Sequence, residues 1–322
     1  MDKNTWITGV KITIAAVLAI LLADTLQLQF SSTAGIITIL SIQKTKKETL
    51  KTAGRRGVAF VIALLVSFVC FQTLGFHVAA IALYLFIFSM ICLYFGWTEA
   101  LAMDSVLITH FLTEGNMKPE ILANEFLLFF VGTGFGILAN LHLRNKKEEF
   151  ETLAYEVDLE IRGILRRMAE RLVKEDKSDY DVGCFQRLEK QVEKARESAC
   201  QNYNNQLLKA SCYEIDYIKM RENQIQVLRQ VYESIKMVEV IPSQTKEIAH
   251  LIVKMEEEYH KENTVKELQK ELTSLLWQMK KEELPVSREE FEARAVLFYM
   301  LKQLEEFLKL KEKFMEKYQR NG

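Results

Sequence analysis

Two carboxylates interrupt an apolar stretch of this sequence and are its first candidates for chemistry. Glu99 lies at the beginning of the segment 98–112, and Asp104 lies near its middle. Ionisable side chains at membrane depth are costly, and they commonly belong to proton relays or ion pathways. We therefore expect Asp104 either to line a polar pathway or to be satisfied inside the protein. Glu99 is expected nearer the end of the segment, where lipid head groups or water can solvate it.

A dense group of cations precedes these carboxylates, in a loop between two apolar segments. Its members are Lys44, Lys46, Lys47, Lys51, Arg55 and Arg56. Such a loop can fix the topology of a membrane protein and contact anionic head groups. Alternatively, it can form a positively charged vestibule that attracts an anionic solute. The second interpretation makes Lys47, Arg55 and Arg56 candidate residues of a substrate pathway.

The sequence lacks the short motifs of nucleotide-binding and hydrolytic sites. It contains no GxxxxGK[ST], no HExxH and no GxSxG. Gly132, Gly134 and Gly136 lie within an apolar run without a preceding strand, so the Gly132-xxx-Gly136 pair is interpreted as a helix-packing motif. The five cysteines form no CxxC pair, which favours free thiols. We expect neither an enzyme nor a bound cofactor nor a metal site.

The composition of the chain changes near Leu143 and divides the sequence into two parts. Residues 1–143 are mostly apolar and carry nine Lys/Arg and eight Asp/Glu side chains. Residues 144–322 carry the other 33 basic and 35 acidic side chains. Neither part is basic enough for a nucleic-acid interface. We expect an all-α protein with a transmembrane helical domain over residues 1–143 and a cytoplasmic helical bundle over residues 144–322.

Membrane segments can be counted from apolar runs, because a helix needs about 20 residues to cross a bilayer. Residues 57–76 and 78–97 are uncharged, and residues 6–23 and 121–142 are nearly or fully long enough. Two further segments are weaker candidates for membrane crossing. The segment 30–42 is short, and the segment 98–112 contains polar residues. Basic clusters follow the segments that end at residues 42 and 142. Because positive loops stay in the cytoplasm, both clusters are expected on the same side of the membrane. Parity therefore predicts six segments in a multi-pass protein of the cell membrane, with both termini cytoplasmic.

Several side chains near these segments carry secondary expectations. Glu125 lies one turn inside the last segment and is expected at the membrane interface, and His110 is not expected to be a ligand. A small, weakly polar helix face suited to close packing is predicted in the polar segment. Its members are Thr98, Ala102, Ser105 and Thr109.

Residues 144–322 place apolar side chains every three or four positions, which is typical of helices that bury one face. Thr264 with Glu267 and Ser287 with Glu290 fit the capping box that begins a helix. The pattern predicts an antiparallel bundle of five or six helices. No helix breaker lies between residues 140 and 151, so the junction 141–147 is expected to be a continuous helix.

The basic loop also resembles a known family. Its pattern is Ile-Gln-x-Thr, then Thr-Leu, then an arginine that opens a long apolar helix, as in the fusaric acid resistance and aromatic acid exporter superfamily. An apolar half followed by a charged helical half resembles the single-repeat exporters of Gram-positive bacteria, in which a cytoplasmic helical domain follows six membrane segments. The signature positions are Gln43, Thr45, Thr49, Leu50 and Arg55 or Arg56. Lys44 stands where a proline is common, and Gly57-Val58 replaces the Gly-Thr that often follows the arginine.

The resemblance and the charges together give one main hypothesis, a secondary transporter that exports small organic acids, including aromatic acids, with proton coupling. The candidate pathway residues are Asp104, Glu99, Gln43, Thr45, Lys47, Arg55 and Arg56. Expected partners are membrane lipids, a small organic anion and further copies of the chain, because six segments are few for a complete pathway. The alternative is a membrane-anchored oligomeric scaffold or sensor whose cytoplasmic bundle binds a partner or ligand.

Overall fold

The computed structural model describes residues 3–141, 147–175, 183–207, 211–259 and 265–319. All regular secondary structure in these ranges is α-helical, which confirms the expected fold class. The chain forms two compact units, Met1–Asn145 with Asn204–Ala210 and Lys146–Tyr203 with Ser211–Gly322. Each unit has a hydrophobic core of its own.

The described residues of the first unit form six helices. They are α1 (Lys3–Thr25), α2 (Ser32–Ser41), α3 (Lys46–Leu74), α4 (Val78–Phe95), α5 (Thr98–Glu114) and α6 (Pro119–Leu141). Among the described residues, four of these helices are long and apolar enough to cross a membrane, namely α1, α3, α4 and α6. Helix α2 has only 10 residues and is about 15 Å long. Helix α5 has 17 residues and carries the two candidate carboxylates.

The helices of the first unit begin and end at residues that favour helix caps. At the start of α3, the Thr45 hydroxyl accepts a hydrogen bond from the backbone N–H of Glu48 at 3.3 Å. Helices α3, α4 and α5 end at Gly75, Gly96 and Gly115, whose φ angles are 75°, 67° and 64°. Glycine is favoured there because a side chain would be strained in this left-handed region.

The short helix α2 packs closely against α6 because two glycines leave room for it. A Cβ atom built on Gly132 would lie 2.5 Å from the Ile37 side chain, and one on Gly136 would lie 2.5 Å from the Cβ of Ser41. The Thr38 hydroxyl donates a hydrogen bond to the Gly132 carbonyl at 3.0 Å. These contacts confirm the helix-packing interpretation of the Gly132-xxx-Gly136 pair.

The small face predicted on α5 lies on the outside of the first unit. Thr98, Ala102 and Thr109 are exposed, whereas the opposite face of α5 is buried and includes Asp104. Three of the four members of the small face therefore do not pack within this unit, whereas Ser105, the fourth, is partly buried. The exposed members are available to another helix, and the carboxylate points into the core.

The second unit also contains six helices. They are α7 (Lys147–Leu172), α8 (Gly183–Asn205), α9 (Tyr213–Lys236), α10 (Gln244–Glu257), α11 (Lys266–Met279) and α12 (Arg288–Gln319). Their apolar faces meet in one continuous core, as the spacing of three and four predicts. The most extensive pairings are α9 with α12 and α7 with α10.

The two predicted helix starts in this unit have different outcomes. At α12, the backbone N–H of Glu290 donates to the Ser287 hydroxyl at 3.2 Å, and the Glu290 carboxylate accepts from the N–H of Val286 at 2.9 Å, so a capping arrangement is confirmed. Thr264 lies outside the described residues, and α11 begins after Val265. Residues 142–146, at the centre of the expected continuous junction, also lie outside the described residues.

Candidate functional site

A buried carboxylate lies at the centre of the first unit. Asp104 on α5 is completely inaccessible to solvent. Among the described residues, neither of its carboxylate oxygens has a hydrogen-bond partner. A buried polar group without a partner typically costs about 1–3 kcal/mol. Buried polar groups without partners need an explanation, and at membrane depth they often have a functional role.

Arg56 on α3 is a buried cation near Asp104. Its Nη1 atom donates a hydrogen bond to the carbonyl oxygen of Leu40 at 2.8 Å and lies 3.5 Å from the hydroxyl of Ser41. These acceptors belong to the last turn of α2, where free carbonyls attract a cation. The guanidinium is also near enough to Asp104 and Glu99 to interact with both charges. The structure therefore brings together three of the predicted pathway residues.

Two further polar side chains extend this buried cluster. The hydroxyl of Tyr84 on α4 lies close to Ser105 and interacts with the charge of Asp104. Neither hydroxyl makes a hydrogen bond of normal geometry with the described residues. We call Arg56, Tyr84, Asp104 and Ser105 the α3–α5 polar cluster. Its members come from three apolar or mostly apolar helices, so the cluster is a polar site inside a hydrophobic unit.

Gln43 and Thr45 hold the loop between α2 and α3, and the Gln43 side-chain amide donates to the Leu40 carbonyl that also accepts from Arg56. The Gln43 carbonyl accepts a hydrogen bond from the Asn140 side chain at 2.7 Å. The Asn140 amide also donates to the hydroxyl of Thr49, and that hydroxyl donates to the Thr45 carbonyl at 2.9 Å. The loop that resembles the family signature is therefore tied to the end of α6.

Arg55 and Lys47 occupy less enclosed positions. Both are partly buried, and Arg55 precedes the buried Arg56 on α3. Glu99 is exposed in the first turn of α5, as expected for a carboxylate that can be solvated. Asp104, Arg56 and Thr45 are buried, whereas the other four predicted residues are partly buried or exposed.

A second buried pair in the first unit was not predicted. The Nδ1 atom of His110 lies 2.8 Å from Oε2 of Glu125, and the Glu125 side chain is completely buried. The expectation that Glu125 lies at the interface is therefore wrong. His110 lies five residues before the α5–α6 turn (115–118) and Glu125 seven residues after it, so an antiparallel pairing of these helices can bring them together. Their similar distance from the turn was the signal available in the sequence.

The His110–Glu125 pair connects to the loop between α1 and α2. The imidazole ring stacks on Phe30 with centroids 4.1 Å apart. Asn124 accepts a hydrogen bond from the backbone N–H of Gln29 at 2.8 Å and donates to the Gln29 carbonyl at 3.2 Å. Phe30 adopts a positive φ of 57°, which is strained for a side chain of this size. These contacts hold a strained loop against α5 and α6.

The second unit contains a charged cluster within its core. Arg221 is completely buried, and its Nε and Nη2 atoms lie 2.9 and 3.1 Å from the two carboxylate oxygens of Asp158. Its guanidinium carbon lies 4.8 Å from the centre of the Tyr217 ring and 4.5 Å from that of Tyr259. The Gln224 side chain accepts a further hydrogen bond from Arg221 at 2.7 Å. Sequence spacing gave no signal for this cluster, because its members come from three separate segments.

Lys311 adds a second cation beside this cluster. Only 2% of its surface is exposed, and its ammonium lies 5.4 Å from the centre of the Tyr259 ring. Burial, and to a lesser degree the charge of Arg221, lower the pKa of Lys311 to about 7, although Asp158 opposes the change. The core of this unit therefore holds a lysine that can change charge near neutral pH.

The described residues contain no group of three or more His, Cys, Asp or Glu side chains that could hold a metal ion. All five cysteines are free thiols, three of them buried and two exposed. The buried polar clusters are accordingly interpreted through protons and ion pairs.

Comparisons with known proteins match both parts of the chain. The model described as "Aromatic acid exporter family member 1" matches residues 7–143, and that described as "Putative aromatic acid exporter C-terminal domain" matches residues 147–312. The "Uncharacterized protein YqjA" of Bacillus subtilis (strain 168) is 30% identical over 306 residues, which cover 95% of this chain and 94% of that protein. A "putative membrane protein from Clostridium difficile 630" has a crystal structure with 24% identity and a TM-score of 0.46, covering 52% of this chain and 98% of that one.

Proposed function

Because this chain belongs to the aromatic acid exporter family, we propose that it is a secondary transporter that exports small organic acids across the cell membrane. Aromatic carboxylates are the proposed substrates, and the proposed coupling ion is the proton. Family membership and four apolar helices support a membrane protein of a transporter type. We further propose that residues 1–143 form the membrane domain and residues 144–322 a cytoplasmic helical bundle.

The observation that carries this proposal is the buried carboxylate of Asp104. It lies in the core of an apolar helical unit, without a hydrogen-bond partner among the described residues. Carboxylates in such positions are typical of proton-coupled transport, since the group can be neutral or charged according to what binds beside it. A structural carboxylate would instead be expected to have its oxygens satisfied.

Arg56 provides the link between the proton and the substrate. A substrate carboxylate bound at the guanidinium would compete with the Asp104 carboxylate for the same charge. Protonation of Asp104 removes that competition, so proton binding and anion binding depend on each other. Lys47 and Arg55 are proposed to raise the local concentration of the anion before it reaches Arg56. Gln43 and Thr45 are proposed to position the loop that leads to this site.

We propose that all six helices of the first unit cross the membrane. Helix α2 is short, but its inner face is buried against the protein, which is where a short or broken membrane helix is tolerated. The exposed face of Thr98, Ala102 and Thr109 is suited to close packing against another copy, which supports a homo-oligomer. An oligomer would also enlarge a pathway for which six helices are few.

Two exposed cysteines test the proposed orientation. Cys200 and Cys212 are accessible in the second unit, whereas Cys70, Cys92 and Cys184 are buried. A membrane-impermeant maleimide should label the first two in inside-out vesicles and leave them unlabelled in intact cells. Labelling from the outside of intact cells would contradict a cytoplasmic bundle.

Transport is tested by efflux of a labelled aromatic carboxylate from cells or vesicles, with and without a proton gradient. Efflux should depend on the protein and should change when the gradient is collapsed. Asp104→Asn should abolish this dependence, whereas Asp24→Asn, at an exposed position on α1, should preserve it. Proton-independent efflux in the wild type would remove the coupling, and wild-type behaviour of Asp104→Asn would exclude Asp104 as the proton carrier.

The alternative function, a scaffold or sensor, is favoured by the separate core of the second unit and by its match to a domain model of its own. It predicts no flux of any organic acid through the reconstituted protein. It also predicts that the second unit binds a ligand or protein when the α3–α5 polar cluster has been removed by substitution.

A further inference from the structure

Helix α12 exposes aromatic side chains on the side that faces away from the core of the second unit. Ala293, Leu297 and Met300 pack into that core. On the opposite side, Phe291 and Tyr299 expose 61% and 51% of their surface. The outer face of a surface helix is expected to be polar. Two exposed aromatic side chains on one side of α12 therefore indicate a contact surface, where phenylalanine and tyrosine are enriched.

The same side of α12 carries a heptad repeat. Positions 288, 295 and 302 are seven residues apart, as are positions 292, 299 and 306, and all six are exposed. This spacing keeps each set along one side of a helix, where it can meet a second helix. The first set is Arg288, Ala295 and Lys302, and the second is Glu292, Tyr299 and Glu306. We call these six residues the α12 outer face.

The charges of the α12 outer face are complementary to a second copy of the same face when the two helices run in opposite directions. With position 297 as the midpoint, Arg288 lies level with Glu306 of the second copy. Lys302 lies level with Glu292 of the second copy in the same arrangement. A parallel pair in register would instead place each charge beside an identical charge, which is unfavourable. The sequence of charges along α12 therefore favours the antiparallel pair.

These charges determine the direction of the pair more than its strength. Arg288 and Lys302 already contact Glu292 and Glu305 on their own helix, at 3.0 and 2.9 Å. Exposed ion pairs of this kind contribute little to stability, so their side chains can turn toward a second copy without a large loss. The affinity would come from the apolar contact at the centre, where Tyr299 lies level with a small alanine that leaves room for the ring.

We propose that the α12 outer face binds the same face of a second copy, antiparallel and related by a two-fold axis. Self-complementary contacts of this symmetry are the commonest in homo-oligomers. A membrane surface fits less well, because Glu292 and Glu306 would meet its anionic head groups. The contact adds a surface of the second unit to the proposed homo-oligomer, and it does not rest on the proposed transport.

The test is crosslinking of the full-length protein in lipid vesicles with a short bismaleimide. The background carries Cys200→Ser and Cys212→Ser, since the other three cysteines are buried. Ala295→Cys should crosslink to its own copy, because the antiparallel pair places the two positions about 6 Å apart along the helix axis. Arg288→Cys alone and Glu306→Cys alone should not crosslink, since each lies about 27 Å from its own copy along that axis. Co-expression of these two variants should restore the crosslink.

Charge reversals test whether the predicted pairs recognise each other. In the Ala295→Cys chain, Arg288→Glu should lower the crosslink yield about fourfold, because an exposed ion pair changes association about twofold and the symmetry repeats it twice. Addition of Glu306→Arg should restore the yield. Lys266→Glu, which reverses an exposed charge on α11, is the control and should leave the yield unchanged. Circular dichroism shows whether each variant is folded.

Three results would overturn the proposal. The first is self-crosslinking of Arg288→Cys as strong as that of Ala295→Cys, which would indicate a parallel pair or random collision. The second is a folded Ala295→Cys protein that forms no crosslink, with the cysteine shielded by lipid, which would assign the face to the membrane. The third is a yield that Arg288→Glu lowers and Glu306→Arg does not restore, because the two side chains would then not be partners.

Discussion

Replacing Lys311 by methionine should stabilise helix α12 at neutral pH, although it removes a charged side chain. Lys311 is 2% exposed, and burial lowers its pKa from 10.5 to about 7. The unfolded chain returns the lysine to water, where it binds a proton far more readily. Methionine retains a comparable apolar stem and lacks the ammonium, so the substitution removes the cost of the buried charge together with the contacts of the ammonium, which include the Tyr259 ring.

The magnitude follows from the difference between the two pKa values. Each pH unit of difference corresponds to about 1.4 kcal/mol, so the gap between 10.5 and about 7 gives an upper bound of about 5 kcal/mol. The direction of the pH dependence follows from proton binding. Between the folded and the unfolded pKa, the unfolded state holds a proton that the folded state has lost, so stability rises with pH. The cost is therefore largest at and below about pH 7, falls to about 2 kcal/mol at pH 9 and disappears above the unfolded pKa.

The assay is amide hydrogen exchange of α12 in the full-length protein, with each variant compared with the wild type at the same pH. Lys311→Met should slow exchange at pH 7, and the difference should shrink at pH 9. Lys313→Met, two residues away on the exposed face of α12, should change little at either pH. Faster exchange in Lys311→Met at pH 7 would refute the reasoning, because it would show that the ammonium stabilises the fold.

Two further predictions concern the first unit. Glu125→Ala should lower the stability of the detergent-solubilised protein by about 3–5 kcal/mol, because it leaves His110 without its buried partner, and an unchanged thermal unfolding midpoint would contradict this pairing. Gly132→Val should weaken the packing of α2 on α6 by about 1–3 kcal/mol or more, since its Cβ would meet Ile37 at 2.5 Å. Gly134→Val is the matched control, because a Cβ there meets no atom within 4 Å. Equal exchange rates for α2 in the two valine variants would show that the close approach is unimportant.

Features that depend on local spacing could be predicted from the sequence. Periodic apolar residues gave the helical class and an expectation of five or six helices in the second unit, and Ser287 with Glu290 gave the start of α12. The glycines at 132 and 136 predicted the close packing of a helix on α6, because a residue without a side chain is visible in the sequence itself. Asp104 was also identifiable, since a charge in an apolar segment stands out, whereas the basic loop offered Arg55 or Arg56 without deciding between them.

Features that depend on which helices meet could not be predicted in this way. Asp158 and Arg221 are 63 positions apart, and no spacing rule connects α7 with α9. Each residue alone resembles part of an ordinary solvated helix face. The packing face predicted on α5 has three exposed members in this unit, so its role in packing stays a prediction. Glu125 was misplaced because its distance from the segment end was considered without its partner on α5.

Asp104 is proposed to couple proton movement to the export of an organic acid. The most direct measurement is proton flux into or out of proteoliposomes on addition of an aromatic dicarboxylate, followed with a trapped pH indicator. A doubly charged substrate is used so that it does not cross protein-free vesicles, which serve as the control. The wild type should move protons only when the substrate is present, and Asp104→Asn should show none of this flux. Substrate-dependent proton flux that persists in Asp104→Asn, or substrate transport by the wild type without any proton movement, would contradict the account.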